Sequence, residues 1–441
     1  MKIQKRYAAT ALLLMAASAG AQQRPPIRQL GATVGKSTEA FVNVTSVRPL
    51  SNGSVLVNDP AGRRLVLFNP QLSSFTLIAD STSATSNAYG GRTGGLAGYK
   101  GDSSIFVDPS SLSMLVIDPS GKIARVISVP RAQDAQMLAS PIGNPVLAPN
   151  GKLVYRAQPG FQLGGNRTIT LGGGANGAPA GIPGVPNIPD SAPVLRIDLA
   201  TRVVDTIGYI RTPKIKMDMQ HDDNGNVRMS SLINPLPTVD DWAMTPDGAV
   251  AFVRGSDYHV DWINPDGTRA SSPKVPFEWQ RMTDEDKVAF IDSVKAARAR
   301  QAAAAPTVVI AGGANPAPAG GGGTPNIQIF AGPGAPGGGP GRGSLQTTQS
   351  FIPASELPDY KPPFFAGSTR ADTEGNLWIR TIPTSAIAGG PVYDVINRKG
   401  ELVDRVQIPA GRTILAFGPA GAVYMVNRDG ATVTIERASI K

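Results

Sequence analysis

Short apolar runs, each bounded by turn-forming residues, alternate along most of the chain. In NGSVLVNDPAGRRLVLFNP (Asn52 to Pro70) a turn, a strand, a second turn and a second strand follow in order. The pattern returns from Gly101 as GDSSIFVDPSSLSMLVIDPSGKIARVISV, and from Asn150 as NGKLVYRA with its partner PVLRIDLATRVVDTIGYI from Pro193. It returns again from Pro246 as PDGAVAFVRGSDYHVDWINPDG, from Glu374 as EGNLWIRT continued by PVYDVINRKGELVDRVQI, and from Ala420 as AGAVYMVNRDGATVTIER, which makes six copies.

Every copy follows one order: an inner strand, a tight glycine-containing turn, a β-rich strand, a second turn, a third strand ending in Asn or Asp, and a closing fourth strand. Gly53, Gly151, Gly248, Gly375 and Gly421 fall where a hairpin needs positive φ, which glycine alone adopts without cost. Antiparallel four-strand units repeated radially give an all-β fold, a six-bladed β-propeller. Setting aside residues 157–192, 213–239 and 277–350, which break the pattern, leaves about 47 residues per copy, within the usual blade size. The sixth copy stops after its third strand, near Arg437. The segment from Ile27 to Val34 is therefore expected to supply the missing strand and close the ring.

At this point a resemblance can be named. TPDGAVAFVRG (Thr245 to Gly255) looks like the hairpin strand of TolB-like propellers, and DTEGNLWIRT (Asp372 to Thr381) is similar to an element of NHL and SMP-30-type six-bladed propellers. The resemblance covers most of the chain at the level of blade pattern. It implies a fold more than an activity, since these superfamilies include binding scaffolds, lactonases, lyases and dehydrogenases. It also implies, for SMP-30-like lactonases, a metal site of carboxylates and amides in the channel. Asp241, Asp372 and Asn427 fall in or near channel-facing positions, but none matches a family ligand individually, so no metal ligand is assigned.

Composition changes the picture in two ways. Lys2, Lys5 and Arg6, the apolar run Ala8 to Ala17 and the Ala19-Gly20-Ala21 pattern read as a secretory signal peptide over residues 1–21, with the mature chain starting near Gln22 in the periplasm or outside the cell. No cysteine is present, so neither disulfides nor a lipidated cysteine hold an exported chain of this kind. The net charge of +9 includes the three basic residues of the leader, and no dense Lys/Arg stripe follows, which argues against nucleic acid as a partner. No later segment is apolar enough to span a bilayer.

In a blade with strands A to D counted outward, the B–C and D–A connections leave at one face of the ring. All three pattern-breaking stretches are such connections, so they share that face. Two of them hold Gly/Pro-rich tracts, from Gly164 and from Ala311, whose low apolar density predicts mobile loops, either neutral expansions or a cover over the channel. Between them Thr283 is placed to cap a helix opening on Asp284, Glu285 and Asp286, with Val288, Ile291 and Val294 as the packing face.

The ends of the B strands point to the same face and carry Asn58, Asp59, Asp108, Arg156, Arg254, Arg380 and Asn427. Two readings are open. The arginines hold an anionic ligand by bidentate forks, or they form an internal ring of ion pairs with the acids of neighbouring blades. HDDNGN (His221 to Asn226) lacks the spaced ligands of a calcium loop and reads as a hairpin turn, with Met217, Met219 and Met229 as packing around it. His221 and His259 are the only histidines, too few for a zinc site or a proton relay. No G-x-S-x-G element or phosphate loop occurs. Trp242, Trp262 and Trp378 are assigned to the packing between blades and Trp279 is not.

The sequence thus leads to an exported monomer that binds an anionic small molecule or an envelope protein through its insertion-bearing face, without catalysis and without a cofactor. The alternative is a metal-dependent hydrolase or lyase at the channel mouth.

Overall fold

Five-residue turns organise the strands. In the turn Leu50–Ser54 the amide of Leu50 donates to Ser54 O (2.8 Å) and that of Gly53 to Leu50 O (3.0 Å), with Gly53 at φ +84°. The same pair of bonds recurs at Ala148–Lys152, Thr245–Ala249 and Asp372–Asn376, each with its glycine at positive φ, as the sequence requires. A side chain at the fourth position would be strained, so the sequence repeats a glycine there.

The computed structural model describes residues 24–81, 89–91, 93–159, 161–163, 167–169, 189–214, 216–221, 227–304, 346–384, 388–430 and 432–440. The leader reading (residues 1–21), the Gly/Pro-rich tracts and the turn 222–226 of HDDNGN lie outside them.

The turns connect six antiparallel sheets, each running A to D from the centre outward. Blade one is Ser46–Pro49, Val55–Asp59, Arg64–Phe68 and Phe75–Ala79. Blade two is Gly95–Gly98, Ser104–Asp108, Ser113–Ile117 and Ile123–Ser128. Blade three is Val146–Leu147, Leu153–Arg156, Ser191–Ile197 and Val204–Arg211, and blade four is Asp241–Met244, Val250–Arg254, His259–Ile263 and Arg269–Ser271. Blade five is Phe364–Ala371, Leu377–Thr381, Val392–Ile396 and Leu402–Gln407. Blade six is Arg412–Gly418, Ala422–Asp429 and Thr432–Ser439, completed by Thr33–Lys36 from the other end of the chain.

The closing segment does two jobs instead of one. Thr33–Lys36 lies antiparallel on Thr432–Ser439, while Ile27–Gln29 runs parallel to Leu402–Gln407 as a fifth strand of blade five. The expected single strand from Ile27 to Val34 is therefore split between two sheets. Leu30, at the break, enters the apolar cluster of Trp378, Val406 and Ile414 between blades five and six.

Each blade-to-blade interface has its own apolar cluster, and the six clusters together form the core. Tyr424, Val426 and Val433 of blade six meet Val47, Val57 and Val66 of blade one, so the last interface is packed like the others. Trp242, Trp262 and Trp378 are buried in such interfaces, whereas Trp279 is 38% exposed, as the sequence leads one to expect.

Two of the long connections share a sheet of their own. Lys216–His221 and Val227–Ile233 form an antiparallel hairpin, and Gln346–Phe351 pairs parallel to the second strand. The helix Asp284–Ala304 packs beside it through Ile291, in a cluster with Leu236, Met282, Ile352 and Leu357. Its start is a reciprocal cap: Asp286 N donates to Thr283 Oγ1 (3.2 Å) and Thr283 N donates to Asp286 Oδ2 (3.0 Å). Of the expected face, Ile291 is buried and Val294 part-buried, but Val288 is exposed. Lys287 is buried in its place, its Nζ reaching the exposed Asp359 at 2.7 Å, so the lysine stem packs while its charge meets a carboxylate at the surface. Replacing Thr283 by Ala should lower stability by about 1 kcal/mol. Thermal melts of the two proteins check this, and an unchanged midpoint would remove the cap from the account.

Candidate functional site

The inner strands surround a central channel holding a cavity of about 420 Å³. On the face where these strands begin, the segment Ser140–Pro145 leads into blade three and folds across the opening. A Cβ placed on Gly367 of blade five would stand 4.0 Å from Ile142 Cγ1, so this segment spans the mouth. A wider vestibule of about 920 Å³ opens at the opposite, hairpin-turn face past Arg48 and Lys100.

Among the described residues, the lining of this cavity contains two arginines, Arg48 and Arg370, and no aspartate or glutamate. Their situations differ. Arg48 donates through Nε to Ser104 Oγ (3.1 Å) and through Nη2 to Ser103 O (3.3 Å) and Asp102 Oδ1 (3.5 Å). Burial lowers its pKa, and Asp102 acts in the opposite direction. Arg370 donates through Nη1 to Thr369 O (2.8 Å) and Gly367 O (3.1 Å), two carbonyls of its own strand. Its Nε and Nη2 have no partner among the described residues. The guanidinium is thus tethered at one nitrogen and open along its other edge, the geometry that grips a carboxylate or phosphate with two bonds.

The candidates on the B strands sit one ladder farther out, roughly 5 Å from the inner strands, and most of them are taken up by bonds within the fold. Asn58 donates to Gly94 O (2.7 Å) and accepts from Tyr89 OH (2.7 Å), which ties blade one to blade two. Asp59 accepts the amides of Asn43 (2.9 Å), Gly62 (3.0 Å) and Val42 (3.1 Å), with Arg64 Nε at 3.3 Å. Asp108 caps its own turn through Ser110 and Ser111. Asn427 donates to Glu436 (3.0 Å), which Arg412 also holds at 2.6 Å.

The three arginines of that set do not form one clamp. Arg254 is filled by Asp261 (2.8 Å), Asp240 (2.9 Å) and Tyr209 O (3.0 Å); although burial opposes its charge, these carboxylates raise its pKa. Arg380 is exposed on blade five. Arg156 differs from both, because its Nε is enclosed and has no partner among the described residues. Burial pulls its pKa down to about 10, against the attraction of Asp241.

Asp241 begins the inner strand of blade four. Burial holds its carboxyl above the usual carboxylate range despite the hydrogen bond from Thr369 N (2.7 Å) and the nearby Arg370. Asp241, Arg156 and Arg370 therefore form one polar junction at blades three, four and five.

Asp372 is fully engaged elsewhere. It accepts Asn376 N (2.8 Å), Glu374 N (2.9 Å), Trp378 Nε1 (2.9 Å) and Asn376 Nδ2 (3.0 Å) at the hairpin-turn face. With Asp241 at one end of the channel, Asp372 committed at the other and Asn427 bound to Glu436, these residues do not fit a shared metal ion. Among the described residues no group of three or more His, Cys, Asp or Glu side chains is placed to hold one. His259 stands between Asp257 (2.6 Å) and Asp261 (3.3 Å) on blade four, outside the channel wall.

Arg48 and Arg370 are absent from the candidates read in the sequence. Their signal was their place on the inner strand just before its turn, as in RADTEGN from Arg370 to Asn376.

No family profile matches the sequence, and no curated protein does. Among solved structures, the chain is similar to a gluconolactonase from Xanthomonas campestris at 11% identity and a TM-score of 0.38, covering 95% of this chain and 99% of that one. It is similar to the calcium-binding protein regucalcin from Agrobacterium tumefaciens at 9% identity and a TM-score of 0.39, covering 94% and 97%. It is also similar to virginiamycin B lyase from Staphylococcus aureus at 12% identity and a TM-score of 0.33, covering 92% and 87%. The count of six blades rests on this chain's own strand pairing.

Proposed function

We propose that this chain is an exported, ligand-binding propeller that holds a small anionic molecule, a carboxylate or a phosphate ester, in its central channel. The observation behind this reading is the lining of the cavity: among the described residues, two arginines, no acid, and one of the arginines tethered by backbone carbonyls with its other edge unpaired. A cation fixed in place before the ligand arrives loses little entropy on binding it. Arg156, beside Asp241 at the same junction, adds positive potential on the insertion-bearing side. Export follows from the basic start and apolar run at Lys2 to Ala21.

Calorimetric titration with inorganic phosphate, citrate and butyrate tests the reading. At least one should bind saturably, and Arg370→Gln should weaken it by roughly ten- to a hundredfold, the loss of a charge-assisted pair. Arg254→Gln should lower the melting temperature and leave affinity within about twofold, because Arg254 is spent on Asp240 and Asp261. Failure of all three anions to bind, or full affinity in Arg370→Gln, would discard the proposal.

The catalytic alternative, a hydrolase or lyase at the same channel, has one observation in its favour. Asp241 is a buried carboxyl whose charge burial disfavours, held by Thr369 N beside Arg370 and next to the anion site. Under that reading Asp241→Asn would keep anion binding and abolish turnover.

A further inference from the structure

Apart from its two arginines, the channel offers a wall that a compact inorganic anion would leave largely unused. Val47, Leu96, Val146, Met244, Leu415 and Phe417 line the cavity from five different blades. Val146, Leu415 and Phe417 are only part-buried, although they lie inside a closed ring. Part of the surface they keep open therefore faces the channel, where an apolar group displaces water from it favourably, beside polar wall supplied by Thr45, Ser46, Ser140 and Asn144. The two cations are unequal as well. Arg48 already faces Asp102 at 3.5 Å, whereas Arg370 hydrogen-bonds only carbonyls among the described residues and shares the one buried carboxyl, Asp241, with Arg156. Two arginines against one acid leave one positive charge at this junction, which suits one negative charge on the ligand.

We infer that the anion taken by this channel is a monocarboxylate with an apolar tail, its head on the open edge of Arg370 and its tail along the apolar wall formed by the inner strands. This inference rests on the reading above and narrows it. A cavity of about 420 Å³ falls within the size range of small-ligand sites. The head would supply orientation and the tail most of the affinity.

The test is a series of straight-chain carboxylates, butyrate, hexanoate and octanoate, titrated calorimetrically into the full chain beside citrate and phosphate. Affinity should rise about fourfold per methylene, as expected for burying each one. Octanoate should lose at least tenfold in Arg370→Gln and should bind at least tenfold more tightly than 1-octanol. The series itself uses the unaltered protein, so a misfolded variant does not spoil it. Equal affinities along the series, or citrate tighter than octanoate, would overturn the tailed ligand and leave anion binding standing. Octanoate bound equally well by Arg370→Gln would overturn it as well, as adsorption without a head site. If no carboxylate and no phosphate binds, the anion-binding proposal itself falls.

Discussion

A chain that begins at Ser37 should lose on the order of 5 kcal/mol and unfold or aggregate where the full chain is folded. The deletion removes Ile27–Gln29 from the edge of blade five and Thr33–Lys36 from blade six. Leu30 leaves its cluster with Trp378, Val406 and Ile414, which by itself costs roughly 1.5–3 kcal/mol. The bond from Leu30 N to Gln407 O (2.9 Å), the pair Gln29–Gln407 (2.7 Å) and the contact of Arg28 with Asp404 (2.6 Å) go with it, at roughly 1 kcal/mol or less each. The sum is comparable with the whole stability of many proteins, about 5–15 kcal/mol. Removing Thr33–Lys36 also bares the edge of Thr432–Ser439, a long strand then free to pair with another molecule. Thermal melting and size-exclusion chromatography of the truncated chain measure both effects. A midpoint within a few degrees of the full chain, with no added aggregation, would show that the ring does not depend on its clasp.

Asp372→Ala should cost about 3 kcal/mol. The carboxylate accepts four donors, and one of them, Trp378 Nε1, belongs to a ring that is only 1% exposed. Without Asp372 that donor is left buried and unpaired, a penalty of roughly 1–3 kcal/mol, and two amides of the turn lose their partner as well. Blade four supplies an internal control. There Thr245 takes the position of Asp372, and Ala251 stands where Trp378 does, so no indole depends on the turn. Asp247→Ala in that blade should cost less than about 1 kcal/mol. Urea unfolding of the two variants separates them. Equal and small effects would mean that the Trp378 bond contributes nothing, and a metal-dependent loss in Asp372→Ala alone would return this residue to the channel chemistry from which its hydrogen bonds exclude it.

The blades were legible because their signals are local. The inner hairpins carry a turn glycine next to an apolar run within a few residues, and strand pairing between chain neighbours follows from these. The Thr283 cap was readable for the same reason. Pairing between Val227–Ile233 and Gln346–Phe351 was not, because it joins two insertions more than a hundred residues apart and nothing in either segment marks the other. The clasp was half legible: a missing fourth strand called for an N-terminal one, but the break at Leu30 is decided by the apolar cluster between blades five and six. For the site, the B-strand ends drew attention because their charged residues recur from copy to copy. Recurrence there reflects bonding within the fold: Asn58 and Arg254 reach a neighbouring blade, and Asp59 holds the segment that leads into its own blade. Arg48 and Arg370 hold the same inner-strand position in only two of the six copies, and only the radial stacking of the inner strands brings them to one cavity.

The clasp has a consequence for the order of events in the life of the chain. Thr33 pairs with Ala438, and Phe41 bridges to Val433, so the final sheet joins residues about 400 positions apart. Five blades can form as the polypeptide emerges, but Thr33–Lys36 has no partner until Thr432–Ser439 has been synthesised. Contacts of such long range are slow to find, and the waiting edges are exposed meanwhile. The ring therefore cannot be completed while any part of the C-terminal blade is still inside the ribosome or on the far side of a membrane.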